Sequence, residues 1–281
     1  MKKREFLEIL GINEDYYIEI MKWLVAEEKK HCNHLMEENT EILFSMSLYS
    51  FYPLLFKDIF NIEDKLHELI MFSRYYSGWL FLLDKIYDDR ECCRKIDLLI
   101  VSLCATLSER YLQKLIQYCK VNSTDLIDKF RKINDVNMKN EESYFTYDKD
   151  YTDEELQEYC KNKYILAKNV VYLCYLSDGN KNKRKILEKL FRSHDYFAIA
   201  RQYLDEIEDY KEDYKNGKFN IFAYKLQKKH GRVMEDKIIQ EEMVSLSRKY
   251  MLMSKQCIVD IPECGWNRFL TLNIDNHRRG I

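Results

Sequence analysis

Residues that break regular structure are so scarce in this chain that long helices are the expected outcome. It contains 7 glycines and 2 prolines among 281 residues. A sheet protein of this size would need many turns, and most turns depend on Gly or Pro. Apolar side chains recur instead at the three- and four-residue spacing of amphipathic helices, notably over 15–28, 63–89, 96–119 and 233–256. The sequence therefore predicts an all-α fold.

Nothing along the chain marks a boundary between domains. Hydrophobic residues make up 46% of the composition, which is enough to bury a substantial core. The sequence contains no internal repeat, no low-complexity tract and no linker rich in Ser and Pro. We therefore expect residues 1–281 to form a single all-helical domain.

Local signals predict where several helices begin, bend or end. Residues 152–155, TDEE, form a capping box that starts a helix. Pro53 is expected to kink or restart a helix, because a proline removes a backbone donor and clashes with the preceding turn. The polar stretch 121–150 predicts a short helix and a loop. A helix is expected over 181–215, with an interruption near Ser193.

Charge and cysteine content argue against several classes of protein. With 45 basic and 47 acidic residues, the net charge of −2 gives no global attraction to nucleic acid or membrane. The nine cysteines show neither zinc-ribbon spacing nor a secreted disulfide framework. The N-terminus, MKKREFLEIL, lacks the apolar segment of a signal peptide, and no apolar run approaches the roughly 18 residues of a membrane span. We expect a cytoplasmic protein without a nucleic-acid partner or stable membrane insertion.

The stretch WLFLLDKIYDD, residues 79–89, places carboxylates directly after a strongly apolar run. Asp84 and Asp88 are four residues apart and therefore share one helix face, while Asp89 lies about 100° further round. A solvated helix end is the simplest explanation of such a cluster. The five apolar residues before Asp84, however, predict a face near the core, where a carboxylate is costly without a positive partner. A bound cation would be such a partner.

A second acidic helix is predicted over 201–220, RQYLDEIEDYKEDYKNGKFN. Asp205, Asp209 and Asp213 recur at four-residue spacing, so the three carboxylates repel each other by roughly a few tenths of a kcal/mol per pair. Taken alone, this helix is compatible with an ordinary surface helix. Magnesium, however, binds oxygen ligands, typically one or two carboxylates together with substrate phosphates. Two facing acidic helices would be able to hold several such ions around a diphosphate.

The first acidic segment resembles a metal-binding motif of the class I isoprenoid (terpene) synthase superfamily. In terpene cyclases this motif is DDxxD and often follows an apolar, aromatic run. Asp84 matches its first aspartate and Asp88 its last, whereas Lys85 stands where a second acid is usual. The resemblance covers roughly residues 50–231, and it implies an all-α helical bundle around a central cavity.

The second acidic segment resembles the other metal-binding motif of the cyclases. That motif places three ligands at i, i+4 and i+8, usually Asn or Asp, then Ser or Thr, then Glu. Asp205, Asp209 and Asp213 match the spacing, although all three are aspartate. Gly217 and Asn220 are also similar to the sequence that often follows this motif.

The squalene/phytoene synthases, which join two prenyl diphosphates head to head, are the rival within the superfamily. Their first motif, DxxxD, is matched by Asp84 and Asp88. The order of residues in their second motif is matched by Gln202, Asp209, Asp213, Gly217 and Lys218. The long segment before the first motif and the short one after the second are unlike that group. Chain-elongating prenyltransferases are also similar, but their usual DDxxD is not intact here.

The resemblance implies a magnesium-dependent lyase that ionises a prenyl diphosphate and cyclises the carbocation or quenches it with water. Three Mg²⁺ ions are implied around the bound diphosphate. The implied metal ligands are Asp84, Asp88, Asp89, Asp205, Asp209 and Asp213. The candidates for binding the diphosphate are Lys163, Arg201, Lys218 and Arg268.

Several of these assignments depart from the family pattern. Lys163 stands where the family generally has an arginine that senses the diphosphate, and Arg268-Phe269 is a partial match to a C-terminal Arg-Tyr pair. The oligomeric state stays open, although a homodimer would be common for such a protein. A head-to-head synthase is the alternative enzyme. An all-α interaction protein whose acidic helices bind a basic partner is the non-enzymatic alternative.

Overall fold

The computed structural model describes residues 2–32, 48–88, 94–119, 122–141 and 145–279, and these ranges contain helices but no strand. The predicted all-α class is confirmed. The α-helices, numbered along the chain, are α1 (Lys3–Leu10), α2 (Glu14–Cys32), α3 (Leu66–Asp88), α4 (Lys95–Cys119), α5 (Ser123–Glu141), α6 (Asp153–Lys163), α7 (Ala167–Asp178), α8 (Arg184–Lys215), α9 (Ile221–His230), α10 (Lys237–Gln256) and α11 (Gly265–Arg279). Short 3₁₀ helices span Leu48–Phe56, Glu63–Lys65 and Lys181–Lys183.

Contacts between residues divide the chain into two compact units. Unit 1 consists of Met1–Ser123, Tyr172–Lys181 and Pro262–Arg268, and unit 2 of Thr124–Val171, Asn182–Ile261 and Phe269–Ile281. Helices α7 and α11 each contribute residues to both units. The expectation of one domain over residues 1–281 stays a prediction. Within the described ranges, no helix has the length and apolar character needed to cross a bilayer.

Unit 1 packs α3 against α4 and against the 3₁₀ segment Leu48–Phe56. Pro53 lies inside that segment and is buried, so it neither kinks nor restarts an α-helix. Gly265, the first residue of α11, packs against the same 3₁₀ segment. A Cβ atom there would lie 2.7 Å from Cα of Leu55 and 2.8 Å from the carbonyl oxygen of Ile9. Because both neighbours are backbone atoms, only glycine allows this approach.

A buried ion pair connects α2 to α3 in unit 1. Nε of Arg74 donates to Oε1 of Glu28, and the two side chains are 3% and 1% exposed. Burial raises the pKa of Glu28, whereas the positive charge of Arg74 and its hydrogen bond oppose that rise. The carboxylate therefore depends on Arg74 to remain ionised in this environment.

Unit 2 is organised around α8, which contacts α6, α9 and α10. The expected interruption near Ser193 is wrong, because α8 is a continuous helix of 32 residues. Oγ of Ser193 lies 2.9 Å from Oγ of Ser254 on α10, and Oγ of Ser254 donates to the carbonyl oxygen of Ser193 at 2.7 Å. Ser193 therefore lies at the interface between α8 and α10, inside an unbroken helix.

Two further predictions concern the start of α6 and the length of α5. The capping box at the start of α6 is confirmed, since Oγ1 of Thr152 accepts from the backbone N–H of Glu155 at 3.2 Å. The carboxylate of Glu155 accepts in return from the backbone N–H of Thr152 at 2.8 Å. Helix α5 spans 19 residues, which is longer than the short helix expected in the polar stretch.

The stability of the protein should depend on pH through His194, a residue of α8 that is 4% exposed. Its Nδ1 lies 2.7 Å from the carbonyl oxygen of Leu190, and burial lowers the pKa of the imidazole to about 3. The unfolded chain binds a proton here below about pH 6.5 while the folded chain does not, so acid favours unfolding. Relative to His194→Gln, the wild type should lose about 2 kcal/mol of unfolding free energy between about pH 8 and pH 5, measured by urea titration. If the unfolding free energies of the two proteins changed equally with pH, the neutral buried imidazole would be contradicted.

Candidate functional site

The C-terminal half of α8 carries the three aspartates of the second acidic segment. Asp205, Asp209 and Asp213 follow one another at four-residue intervals, so each lies about 6 Å further along the helix axis. Asp209 is exposed, whereas Asp205 and Asp213 are half-buried. All three belong to unit 2. We call these three residues the aspartate stripe.

Asp205, the first residue of the aspartate stripe, is held by two donors. The hydroxyl of Tyr164 donates to Oδ2 at 2.7 Å, and Nη2 of Arg201 lies 2.7 Å from Oδ1. Burial raises the pKa of Asp205, whereas the Tyr164 hydrogen bond and the charge of Arg201 oppose the rise. The structure therefore brings Arg201, a candidate for binding diphosphate, directly to the aspartate stripe.

Asp213, the last residue of the aspartate stripe, is held from the segment that leads into α9. Nδ2 of Asn220 donates to Oδ2 of Asp213 at 2.9 Å. Burial raises the pKa of Asp213, and the Asn220 hydrogen bond and the charges of Lys218 and Lys163 counteract it. The two lysines therefore lie close enough to influence the charge of the aspartate stripe.

Glu206 is a buried carboxyl that the sequence indicated only as additional negative charge. It is 3% exposed, and its two oxygens accept from the amide of Gln202 and from the backbone N–H of Ile221. Burial raises the pKa of Glu206 to about 7, against the two hydrogen bonds and the positive charge of Lys163. Glu206 lies three residues after the buried Tyr203, and this spacing was the signal in the sequence that placed it on the core face.

Asn220 is fully buried and links three elements of unit 2. Its Oδ1 accepts from the N–H of Ala223, which caps α9, and its Nδ2 also donates to the carbonyl oxygen of Glu206 at 3.0 Å. Its backbone N–H donates to the hydroxyl of Tyr147 at 3.1 Å, and that hydroxyl donates to the carbonyl oxygen of Lys218 at 2.9 Å. Asn220 therefore connects α8, the start of α9 and the segment before α6.

An aromatic cluster lies next to this network. The ring of Phe219 is 5.3 Å from that of Phe145 and 5.6 Å from those of Tyr151 and Tyr159, measured between centroids. Nζ of Lys163 lies 5.6 Å from the centre of the Tyr159 ring. The rings pack against one another, and they hold Lys163 near the carboxyl groups of Glu206 and Asp213.

The first acidic segment lies at the end of α3, in unit 1. The expectation that Asp84 faces the core is wrong, because its side chain is exposed. The buried face of α3 includes Leu82, and two residues further on the helix has turned by about 200°. The backbone of Asp88 closes α3, but its side chain, like the whole of Asp89, lies outside the described residues.

The remaining basic candidates lie in different surroundings. Arg268 belongs to unit 1, where its Nε donates to the carbonyl oxygen of Ile9 at 3.1 Å and its Nη2 lies 3.0 Å from Oδ2 of Asp58. Lys218 is exposed and belongs to unit 2. Three of the four candidates for binding diphosphate, Lys163, Arg201 and Lys218, therefore belong to the same unit as the aspartate stripe.

The ligand atoms that the aspartate stripe offers are of the type that magnesium prefers. They are the carboxylate oxygens of one exposed and two half-buried aspartates, and Mg²⁺ commonly takes only one or two carboxylates together with water and phosphate. Among the described residues, no three His, Cys, Asp or Glu side chains are gathered closely enough to hold a metal ion by themselves.

No family model, curated protein or solved structure matches this chain.

Proposed function

We propose that this protein is a magnesium-dependent class I terpene synthase. It binds a prenyl diphosphate and breaks the bond between carbon and the diphosphate oxygen, which releases diphosphate and leaves a carbocation. The carbocation cyclises, and loss of a proton, directly or after capture of water, gives a neutral hydrocarbon or alcohol. The observation that carries the proposal is the aspartate stripe on α8 with Arg201 bound to its first member. Carboxylates for a metal and a guanidinium for a diphosphate thus meet on one helix.

In this proposal the aspartate stripe holds Mg²⁺, and bound Mg²⁺ supplies positive charge that stabilises the departing diphosphate. The ligands that the resemblance implies for the first motif, Asp84, Asp88 and Asp89, stay a prediction from the sequence. Tyr164 keeps Asp205 in place through its hydroxyl. Arg201, Lys163 and Lys218 bind diphosphate oxygens, with Arg201 suited to paired hydrogen bonds by its planar guanidinium. Arg268, which belongs to unit 1, stays a candidate from the sequence alone.

The head-to-head alternative is less well supported by the surroundings of Gln202. This residue would open the second motif of the squalene/phytoene synthases. It is 9% exposed and donates to the buried carboxyl of Glu206. Gln202 is thus engaged in the core of unit 2, whereas Asp205, the aspartate that only the cyclase spacing uses, is half-buried and paired with Arg201.

A non-enzymatic interaction protein remains the second candidate because one observation favours it. Asp84 and Asp209 are both exposed, as expected for acidic helices that bind a basic partner. The two candidates make different predictions for small ligands. An enzyme that binds diphosphate through Mg²⁺ should gain thermal stability when both are added, since a ligand of the folded state raises the melting midpoint.

The experiment that tests the proposal is incubation with prenyl diphosphates of several chain lengths, with and without Mg²⁺, followed by mass spectrometry of the products. The expected result is a cyclic hydrocarbon or alcohol from one diphosphate, formed only with Mg²⁺. A linear product of doubled length would support the head-to-head synthase instead. Absence of any product, together with no rise in the melting midpoint from Mg²⁺ and pyrophosphate, would favour the interaction protein.

A further inference from the structure

The orientation of the Asn220 side-chain amide follows from its hydrogen bonds. Its Oδ1 accepts from the N–H of Ala223 at 3.0 Å, so this atom must be the carbonyl oxygen. The other terminal atom is therefore the NH₂ group, a donor of two hydrogens. Both have an acceptor in reach, the carbonyl oxygen of Glu206 at 3.0 Å and Oδ2 of Asp213 at 2.9 Å. The cap of α9 thus determines that a donor faces Asp213.

The backbone of Asn220 is held in place as firmly as its side chain. Its N–H donates to the hydroxyl of Tyr147, whose own hydrogen goes to the carbonyl oxygen of Lys218. The side chain is completely buried. A group with this many satisfied bonds in a buried setting has little freedom to turn. The donor that bonds to Asp213 is therefore fixed in position by the protein.

We propose that Asn220 is a positioning residue that holds the Asp213 carboxylate in the orientation in which it binds a divalent cation. The proposal rests on the function proposed above and extends it to a residue that would not touch metal or substrate. Asn220 engages Oδ2 of Asp213, which leaves Oδ1 as the oxygen for the cation. Groups that orient a metal ligand typically change metal affinity by about 10- to 100-fold when they are replaced.

A helix cap alone would explain the burial of Asn220 equally well, and the two roles can be separated. Serine caps a helix about as well as asparagine. Its hydroxyl is one bond shorter, so it cannot cap α9 and reach Asp213 together. In Asn220→Ser the cap is kept while the donor to Asp213 is lost. Thr152→Ala is the matched control, because it removes the cap of α6 in the same unit without contacting the aspartate stripe.

The experiment titrates Mg²⁺ in the presence of excess pyrophosphate and follows the melting midpoint of the protein. The measured quantity is the Mg²⁺ concentration at which the midpoint has risen by half of its full increase. We expect this concentration to increase about 10-fold in Asn220→Ser and to stay unchanged in Thr152→Ala, although both variants melt earlier without ligand. Should Asn220→Ser fail to fold, Asn220→Thr keeps the capping oxygen, fills more of the space and suits the extended backbone at this position, and it should raise the half-saturating concentration by a similar factor.

The outcomes separate the positioning role from the function on which it rests. A wild type that shows the midpoint rise, with the same half-saturating Mg²⁺ concentration in the folded Asn220 variant, overturns the positioning role alone and leaves Asn220 as a cap. A wild type without any rise overturns both proposals. A weakened response confined to the Asn220 variant supports both.

Discussion

Replacing Arg74 by methionine is expected to lower the free energy of unfolding by about 3–5 kcal/mol. The reason is the buried partner that the substitution leaves behind. Glu28 is 1% exposed, and a carboxylate without a counter-charge in such a setting must either remain ionised at high cost or take up a proton. Urea titration followed by circular dichroism gives the loss, as a shift of the midpoint at unchanged slope.

The double variant Glu28→Met/Arg74→Met is the control for this prediction. It removes both charges and fills the space with apolar side chains, so most of the lost stability should return. If the single Arg74 variant lost less than about 1 kcal/mol, the pair would behave like one on the surface, and the buried ion pair would be contradicted.

The stability that Arg74→Met loses should also depend on pH. With Arg74 absent, burial raises the pKa of Glu28 without the opposing charge, so the folded state binds a proton at a higher pH than the unfolded state, for which the ordinary value is 4.5. The stability contributed by that proton is present below about pH 4.5 and is lost as the pH rises. The difference from the wild type should therefore be largest near neutral pH and become smaller in acid.

Replacing Asp209 by asparagine is expected to reduce product formation from a prenyl diphosphate by about 100-fold or more. Asp209 is the central residue of the aspartate stripe and the exposed one, so its carboxylate is available to a cation. Exposure also means that the change should alter the free energy of unfolding by no more than about 0.5 kcal/mol. Steady-state assays at saturating Mg²⁺, together with a melting curve, separate lost catalysis from lost folding.

Glu208→Gln is the matched control for the Asp209 variant. It removes the same charge from the neighbouring exposed position, which lies about 100° around the helix from Asp209. We expect it to keep turnover within a few-fold of the wild type. Equal losses in the two variants would indicate that only the summed negative charge of α8 matters, and full activity of Asp209→Asn would remove the aspartate stripe from the reaction.

Periodicity was sufficient to predict those features of the fold that depend on short stretches of chain. The all-α class, the capping box before α6 and the placing of Asp205, Asp209 and Asp213 along one helix each follow from neighbours fewer than about ten residues apart. The interruption expected near Ser193 is wrong, and in the structure this residue contacts Ser254, which is 61 residues away. A partner at that distance leaves no mark in the local pattern.

The same limit applies to the candidate site. The apolar run before Asp84 predicted a buried face, but the direction of a side chain depends on which turn of α3 meets the core, and Asp84 is exposed. The contacts of Asp205 with Tyr164 and of Asp213 with Asn220 depend on how α8 packs against its neighbours. Sequence spacing identified the carboxylates, whereas the groups that hold them became visible only with the tertiary structure.

The division of the chain into two units has a consequence for optical measurements. All three tryptophans of the sequence, Trp23, Trp79 and Trp266, belong to unit 1, whereas unit 2 contains tyrosine and phenylalanine but no tryptophan. Indole fluorescence therefore follows unit 1 alone, while the far-ultraviolet signal averages over every helix. Coincident transitions in the two signals would mean that both units melt as one cooperative body, and separated transitions would assign the fluorescent step to unit 1.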